Sequence, residues 1–394
     1  IASDGWSMRV LLQDLSEIYA DILKFGRARM PELKIQYMDY AQRQHDFMRS
    51  DEYKQQLNYW KNELADAPPT LEIFKDVLSE KYNDNEGKRI YFEIREDLAG
   101  RIKQLCVKEN CTLYMFMLSA FVVMLQRYSN QNDMVLGTLI ASRNKEEVES
   151  MIGFFVNSLP LRINVNPDNN FNELLECVKR KTIDMYDNQD VQFDDLIDEL
   201  NISRIAGKNP LFQILFVVQN AQIEELDDEN VHWDMKILDS ETSKFDLIIQ
   251  IFEVNGKLSV KLEYDLNCFA EDSMERLGKN YLKTVNSIIN KPDSVIGEYE
   301  IVDESEREML LSFNNNKTDY ERNRDIYFLF KKVCFEYSYE TAISEGSEKI
   351  SYKELDERSC IFASYLKEKG VNKGDIVAVM ADKTPQVIVA LLSI

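Results

Sequence analysis

Near the start of the chain, Asp4-Gly5-Trp6-Ser7 sets a carboxylate beside a glycine. Such a carboxylate can move a proton or hold a loop by accepting hydrogen bonds. Asp-Gly is also among the commonest turn dipeptides, so these four residues alone read as a turn. At 152–162, IGFFVNSLPLR places Asn157 among apolar neighbours. A buried amide there offers donors and acceptors to pin a loop, and Gly153 permits an unusual backbone turn. The two histidines, His45 and His232, and the six cysteines, at 106, 111, 177, 268, 334 and 360, are scattered without a CxxC pair. Reduced thiols and no bound metal are therefore expected.

The elements that would position these residues follow from periodicity. Met8, Leu11, Leu12, Leu15, Ile18 and Tyr19 recur at helical spacing behind Ser7, which is placed to cap them. A second helix, about 52–64, carries Tyr53, Leu57, Trp60 and Leu64 on one face and stops before Pro68-Pro69. RIYFEI predicts a strand, 97–108 an amphipathic helix, and the apolar run capped by Thr112 a core helix, followed by strand 134–140. Runs on either side of Asn255-Gly256 predict a two-residue hairpin. A helix at 271–289 precedes a polar stretch with linker composition, containing FNNNKTDYERN. Beyond it come the strand ISY, a helix with Leu355, Cys360, Ala363 and Leu366 inward, the strand DIVAVM and a helix from Thr384, an alternating α/β start.

The chain has 394 residues, 44% of them hydrophobic, enough for more than one globular domain. A net charge of −22 argues against a nucleic-acid or anionic-membrane surface. The run Leu113–Leu125 is too short to cross a bilayer and reads as a buried helix. A cytoplasmic protein is expected. Both ends look cut, since the chain opens on Ile1 and stops within the apolar run VIVALLSI.

IASDGWS resembles the tail of the His-His-x-x-x-Asp-Gly motif of condensation domains of nonribosomal peptide synthetases, with the second histidine expected just before Ile1. Further segments resemble the same family in order. IQYMDYAQRQ matches Tyr-x-Asp-Tyr-Ala at Tyr37, Asp39, Tyr40 and Ala41, with Arg43 where tryptophan is usual. IGFFVNSLPLR matches Gly-x-Phe-Val-Asn at Gly153, Phe155, Val156 and Asn157. NQDVQFDDL keeps Gln189, Asp190 and Phe193 of Gln-Asp-x-Pro-Phe-Glu, with Gln192 and Asp194 exchanged. SRIAGKNPLF matches at Arg204 and at Asn209-Pro210-Leu211-Phe212 and departs at Ile205, Gly207 and Lys208. Lys244–Leu247 resembles the strand that closes the family's tunnel, and ISYKEL with VIVALLSI resembles the opening of an adenylation, or AMP-binding, domain.

The resemblance implies an α/β fold similar to chloramphenicol acetyltransferase, two lobes meeting at a tunnel. Here residues 1–66 would end the first lobe, 67–87 connect, 88–290 form the second lobe, 291–324 a linker, and 325–394 the truncated start of an adenylate-forming domain. It implies peptide-bond formation between a donor thioester and an acceptor amine, each carried by phosphopantetheine on an upstream or downstream carrier domain. The rest of the adenylation domain would follow in cis. ATP and Mg²⁺ belong to that complete domain, and no cofactor is expected on the residues present. Asp4 and Gly5 would be the motif's remnant, with Asp4 structural, holding its loop through an arginine from residues before Ile1, and Gly5 allowing close backbone approach. Trp6, Gly153, Phe155 and Asn157 would line the tunnel floor; Gln189, Asp190, Asn209 and Pro210 would latch it. With its histidine upstream, the piece alone is expected to be inactive. The pattern of DGWS with IGFFVNS is most similar to the subtype joining two L-residues. An epimerisation domain and a condensation-like docking module without chemistry are the alternatives; the adenylation-like continuation favours condensation.

Overall fold

In the computed structural model the described residues are 2–68, 71, 73–76, 86–202, 209–219, 241–254, 256–319 and 324–394. They divide into two compact units, Ile1–Leu310 and Leu311–Ile394.

The first unit opens with α1, Gly5–Phe25, ended by Gly26 in the left-handed region. Its cap is Asp4, whose side chain accepts from the Ser7 amide, and not Ser7 as the sequence suggested. An N-cap oxygen reaches the amide three residues on, and Ser7 occupies that third position, fully buried. The helix buries only Ser7 and Val10; Met8, Leu15 and Tyr19 are exposed. α2, Tyr37–Phe47, starts from a reciprocal cap between Gln36 and Asp39. α3, Asp51–Glu63, is capped by Ser50 and buries Tyr53 and Trp60 as its spacing predicts, with Leu64 just beyond it; Leu57 is half-buried, and Gln56, which the spacing did not mark, is buried.

A six-stranded mixed sheet follows. β1 is Gly87–Glu93; α4, Glu96–Lys108, and α5, Leu113–Ser129, then lead to β2, Asp133–Ile140. A short α6, Glu146–Glu149, precedes β3, Asn157–Asn164; α7, Phe171–Asp187, and α8, Phe193–Glu199, precede β4, Ile214–Gln219. β5, Leu247–Val254, and β6, Lys257–Asp265, end at α9, Glu271–Asn290. The strand order is β1-β6-β5-β4-β2-β3. β4 runs parallel to β2 and β5, and the other pairs are antiparallel. Val254 opposite Lys257 makes the predicted two-residue hairpin; Gly256 has φ 79°, and Asn255 lies outside the described residues.

Every residue from Met115 to Gln126 of α5 is buried, which an all-round apolar helix requires. It packs between α7 and α9, and the Tyr281 hydroxyl donates to its Met117 carbonyl at 2.8 Å. Arg162 on β3 fastens α3 to this sheet: it pairs with Asp133 at 2.6 Å and donates to the carbonyls of Glu63 and Ala65, which the end of α3 leaves without helical partners.

The stretch expected as linker is in part packed. A 3-10 turn at Ile296–Glu298 buries Ile296 and Tyr299, Asn170 bridges Val295, and α10, Glu304–Ser312, begins with Glu306 hydrogen-bonded to Asn280. Polar composition hid two apolar anchors.

The second unit holds α11, Ile326–Glu336, the hairpin of β7, Thr341–Glu345, with β8, Glu348–Ser351, and α12, Tyr352–Glu368, packed on α13, Pro385–Ser393. α12 buries Leu355 and Ser359, and Cys360 is exposed instead of inward. Residues 375–380, expected as a strand, carry no strand assignment, and Ile376 and Met380 are fully exposed. An extended run becomes a strand only when a neighbour takes its hydrogen bonds, and among the described residues none lies beside it.

Candidate functional site

The turn before α1, the loop after β2 and the loop before β3 meet around one carboxylate. Asp4 Oδ1 accepts from the Ser7 amide at 2.8 Å, the Ser7 hydroxyl at 2.7 Å and Arg143 Nη2 at 3.2 Å; Oδ2 accepts from the Phe155 amide at 3.0 Å. The Asp4 and Arg143 side chains are 2% and 1% exposed, so this is a fully buried ion pair. Burial pushes the Asp4 carboxyl up. The hydrogen bonds from Ser7 and Phe155 and the Arg143 charge outweigh it and hold the group below the usual carboxylate range. Asp4 is thus an ionised anchor and poorly suited to carrying a proton. Its arginine comes from this chain, 139 residues downstream, in place of one expected from residues before Ile1.

Ser7 is the second hub. Its hydroxyl accepts from the Gly153 amide at 3.1 Å and from Arg143 Nη2 at 2.8 Å, and lies 2.7 Å from both Asp4 Oδ1 and the Gly153 carbonyl. One hydroxyl proton serves only one of these two acceptors at a time. Arg143 also donates to the Val148 and Met151 carbonyls, and its guanidinium sits 4.0 Å from the Phe155 ring centroid. The left-handed Ser142, φ 50°, turns the chain just before it. Trp6 is half-buried and donates from Nε1 to the Glu149 carbonyl at 2.9 Å, with Arg9 over its ring. Among the described residues nothing lies within 4 Å of where a Cβ on Gly5 would stand.

Val148, Met151 and Phe155 form a small separate core with Leu33, Ile35 and Tyr40. The Tyr37 hydroxyl donates to the Phe154 carbonyl at 2.8 Å, and its ring meets Phe155 edge-on at 5.3 Å. Arg43 pairs with Glu147. Gly153 has an ordinary φ, contrary to the unusual turn expected. Space is what it provides, since a Cβ there would lie 2.3 Å from the Tyr37 ring. Gly153→Ala should therefore push Tyr37 off the loop and cost about 1–3 kcal/mol. In a Tyr37→Ala background the same Gly153→Ala change should cost much less in urea melts; an equal cost would place the strain elsewhere, as on the Phe155 ring 2.8 Å from the same point.

Asn157 joins this loop to the segment after α7. Its Nδ2 donates to the carbonyls of Gln189, at 3.1 Å, and Val191, at 2.7 Å, and its Oδ1 accepts from the Ser158 amide. Asp190 exchanges two hydrogen bonds with Gln56, Trp60 Nε1 donates to the Asn188 carbonyl at 2.8 Å, and the Tyr53 hydroxyl takes the Gln192 amide and donates to Asp195. Gln189 donates to the Tyr186 carbonyl. Asn209 makes its contacts elsewhere: Oδ1 accepts from the Leu211 and Phe212 amides at 3.0 and 3.1 Å, an Asx turn that carries Pro210 into β4. Phe212 then stacks on Phe245 and meets Phe193 edge-on, and a small polar cleft opens beside Asn209, Gln213, Lys244 and Asp246. Arg204, Ile205, Gly207, Lys208 and His232 lie outside the described residues; His45 is exposed, 3.5 Å from Arg49.

Sequence reading missed Arg143, Gln56 and the bridging role of Ser7. An arginine three residues past the end of a strand carries no local mark of an ion pair with the far N-terminal turn. Among the described residues no group of three or more His, Cys, Asp or Glu side chains fits a metal ion, and no single helix is long and apolar enough to cross a membrane.

The family described as Condensation domain matches residues 1–311, and that described as AMP-binding enzyme matches residues 330–394. Bacitracin synthase 3 of Bacillus licheniformis is 34% identical over 395 residues, covering 100% of this chain and 6% of its own length. Gramicidin S synthase 2 of Brevibacillus brevis is 32% identical over 395 residues, covering 100% and 9%. The chain therefore spans less than a tenth of these relatives. Among solved structures, a four-domain nonribosomal peptide synthetase bound to AMP and glycine aligns over 99% of this chain and 30% of its own, with TM-score 0.77 and 22% identity. The first condensation domain of the CDA synthetase aligns over 76% and 64%, with TM-score 0.60 and 18% identity. These two likenesses concern the fold.

Proposed function

This chain belongs to the condensation-domain family of nonribosomal peptide synthetases, with the start of an AMP-binding domain behind it, and on that premise we propose that it helps join two thioester-borne amino acids. The reaction is attack by the amine of an acceptor aminoacyl thioester on the carbonyl of a donor thioester. A C–N bond forms, the donor C–S bond breaks, and the amine proton passes to a base while the thiolate leaves. Both thioesters would arrive on the phosphopantetheine of carrier domains. An ammonium cannot attack, so the site must favour the neutral amine, orient it and stabilise the oxyanion.

The residues present are positioning groups in this scheme. The observation that carries the reading is the buried Asp4–Arg143 pair, with Ser7 bonded to both and to Gly153. It clamps the turn at Asp4–Ser7 onto the loop before β3, which supports a positioning role toward the histidine expected just before Ile1. Asn157 extends the clamp to Gln189–Asp190, so that floor and latch move as one piece. ATP and Mg²⁺ belong to adenylation, and no step is assigned to them on these residues.

The test uses the intact module with loaded donor and acceptor carriers. Changing the histidine expected immediately before Ile1 to alanine should reduce dipeptidyl thioester formation about 10²-fold or more while carrier binding persists. Unchanged product would show that this histidine is not the base, and no product from the unaltered module, or another residue at that place, would leave the domain a carrier-docking module without chemistry.

A further inference from the structure

The turn between α4 and α5 brings two cysteines together. The Cys111 amide donates to the Cys106 carbonyl at 2.9 Å, the Asn110 amide donates to the Val107 carbonyl at 3.3 Å, and Asn110 is left-handed with φ 47°. This paired cap closes many helices, and the residues at its two ends ordinarily make an apolar contact. Here both ends are cysteines. A direct N–H···O bond of that length between the same two residues holds their Cα atoms within the ~7 Å beyond which no disulfide can close.

Chemistry favours an asymmetric pair. Cys106 is buried and Cys111 is partly exposed. The hydrogen bond from Cys106 is the largest influence on Cys111 and, with the Lys179 charge, holds that thiol below its ordinary value against burial and the charges of Glu109 and Glu176. The same contact, with burial, pushes Cys106 up. Lys179 is kept close by donating to the Glu109 carbonyl at 2.9 Å. A partly exposed sulfur that ionises more readily, backed across the same turn by a buried one whose Sγ lies 3.9 Å from the Thr112 carbonyl, is the arrangement of an attacking and a resolving thiol.

We propose that Cys106 and Cys111 form a reversible dithiol–disulfide site oxidised by low-molecular-weight disulfides such as oxidised glutathione. The Cys111 thiolate attacks one sulfur of the small disulfide, whose S–S bond breaks and releases one thiolate. Cys106 then loses its proton to solvent and attacks the Cys111 sulfur of the mixed disulfide, expelling the second. Two protein thiols are oxidised and one small disulfide is reduced to two thiols. The crosslink staples the turn that ends one residue before Thr112, the cap of core helix α5.

The full chain is equilibrated in glutathione buffers of graded ratio, trapped with iodoacetamide and digested with trypsin, which cuts after Lys108 and puts the two cysteines on separate peptides. The expected product is the joined peptide pair, lost on adding dithiothreitol. C106S should accumulate glutathione on Cys111, and C111S should leave Cys106 free. In the reduced wild-type chain, which requires no variant to fold, Cys111 should alkylate about tenfold faster than Cys106. Oxidation that stops at a glutathione adduct in the wild type, or equal alkylation of the two thiols, overturns the proposal.

Discussion

Arg143→Ala should destabilise the first unit by about 3–5 kcal/mol, because it leaves the Asp4 carboxylate buried without its counter-charge. The loss reaches beyond one pair, since Arg143 also holds the Ser7 hydroxyl and the Val148 and Met151 carbonyls. R143K restores charge and loses the planar fork that reaches those partners together, so it should recover only part. The variant should also reshape acid denaturation. In the native chain Asp4 titrates below its unfolded value, so its contribution is complete above about pH 4 and fades as pH falls through the lower folded value. Without Arg143, the smallest of the influences that hold Asp4 down, the bonds from Ser7 and Phe155 remain, so the carboxyl moves back part of the way toward its unfolded value and R143A should lose less stability than the wild type as pH falls through that range. Urea melts across that range check this, and parallel curves for the two proteins would show that the pair does not carry the effect. In the intact module, R143A should lower peptide formation about 10²-fold through misplacement of the turn, with carrier binding kept.

Trp60→Ala should cost about 3–5 kcal/mol, through lost packing and the cavity left. Trp60 is 1% exposed, lies edge-on to Tyr59 and sits on the α3 face that also presents Tyr53 and Gln56. Those three side chains hold residues 188–192 by their hydroxyl, amide and indole groups. Loss of the anchor should therefore loosen the latch before the sheet. Trp60→Phe keeps most of the packing and removes only the indole bond to the Asn188 carbonyl, for about 1 kcal/mol plus a smaller packing loss. Denaturant midpoints separate the two variants, and hydrogen exchange should show faster opening at 188–192 in W60A. Equal midpoints for W60A and W60F would contradict the packing argument.

Helices α3, α4, α5 and α9 were legible from sequence because their signals are local. Thr112 accepts from the amide three residues on, as its place before the apolar run suggests; that run is apolar all round and buried all round, and on α3 Tyr53 and Trp60 mark the buried face. The β5–β6 hairpin was legible for the same reason. Asn157 as a pinning amide was legible from its apolar setting, although its partners were not. Cys360 and the packed turn at 296–298 were misread, and residues 375–380 pair with no strand among the described residues, because exposure and strand pairing depend on what lies alongside and residue order does not state it.

Sequence alone determined the turn Asp4–Ser7 and the loop holding Gly153, Phe155 and Asn157, and through them the family. Tertiary structure alone decided that the two are one site. Asp4 was read as a turn residue held by an arginine from before Ile1 until the loop after β2 delivered Arg143 beside it, and Gly153 as a bend until Tyr37 took the space its missing side chain leaves. The physical reason is range: caps and periodicity act over three or four residues, whereas a buried ion pair exists only when the fold removes water from both charges at once.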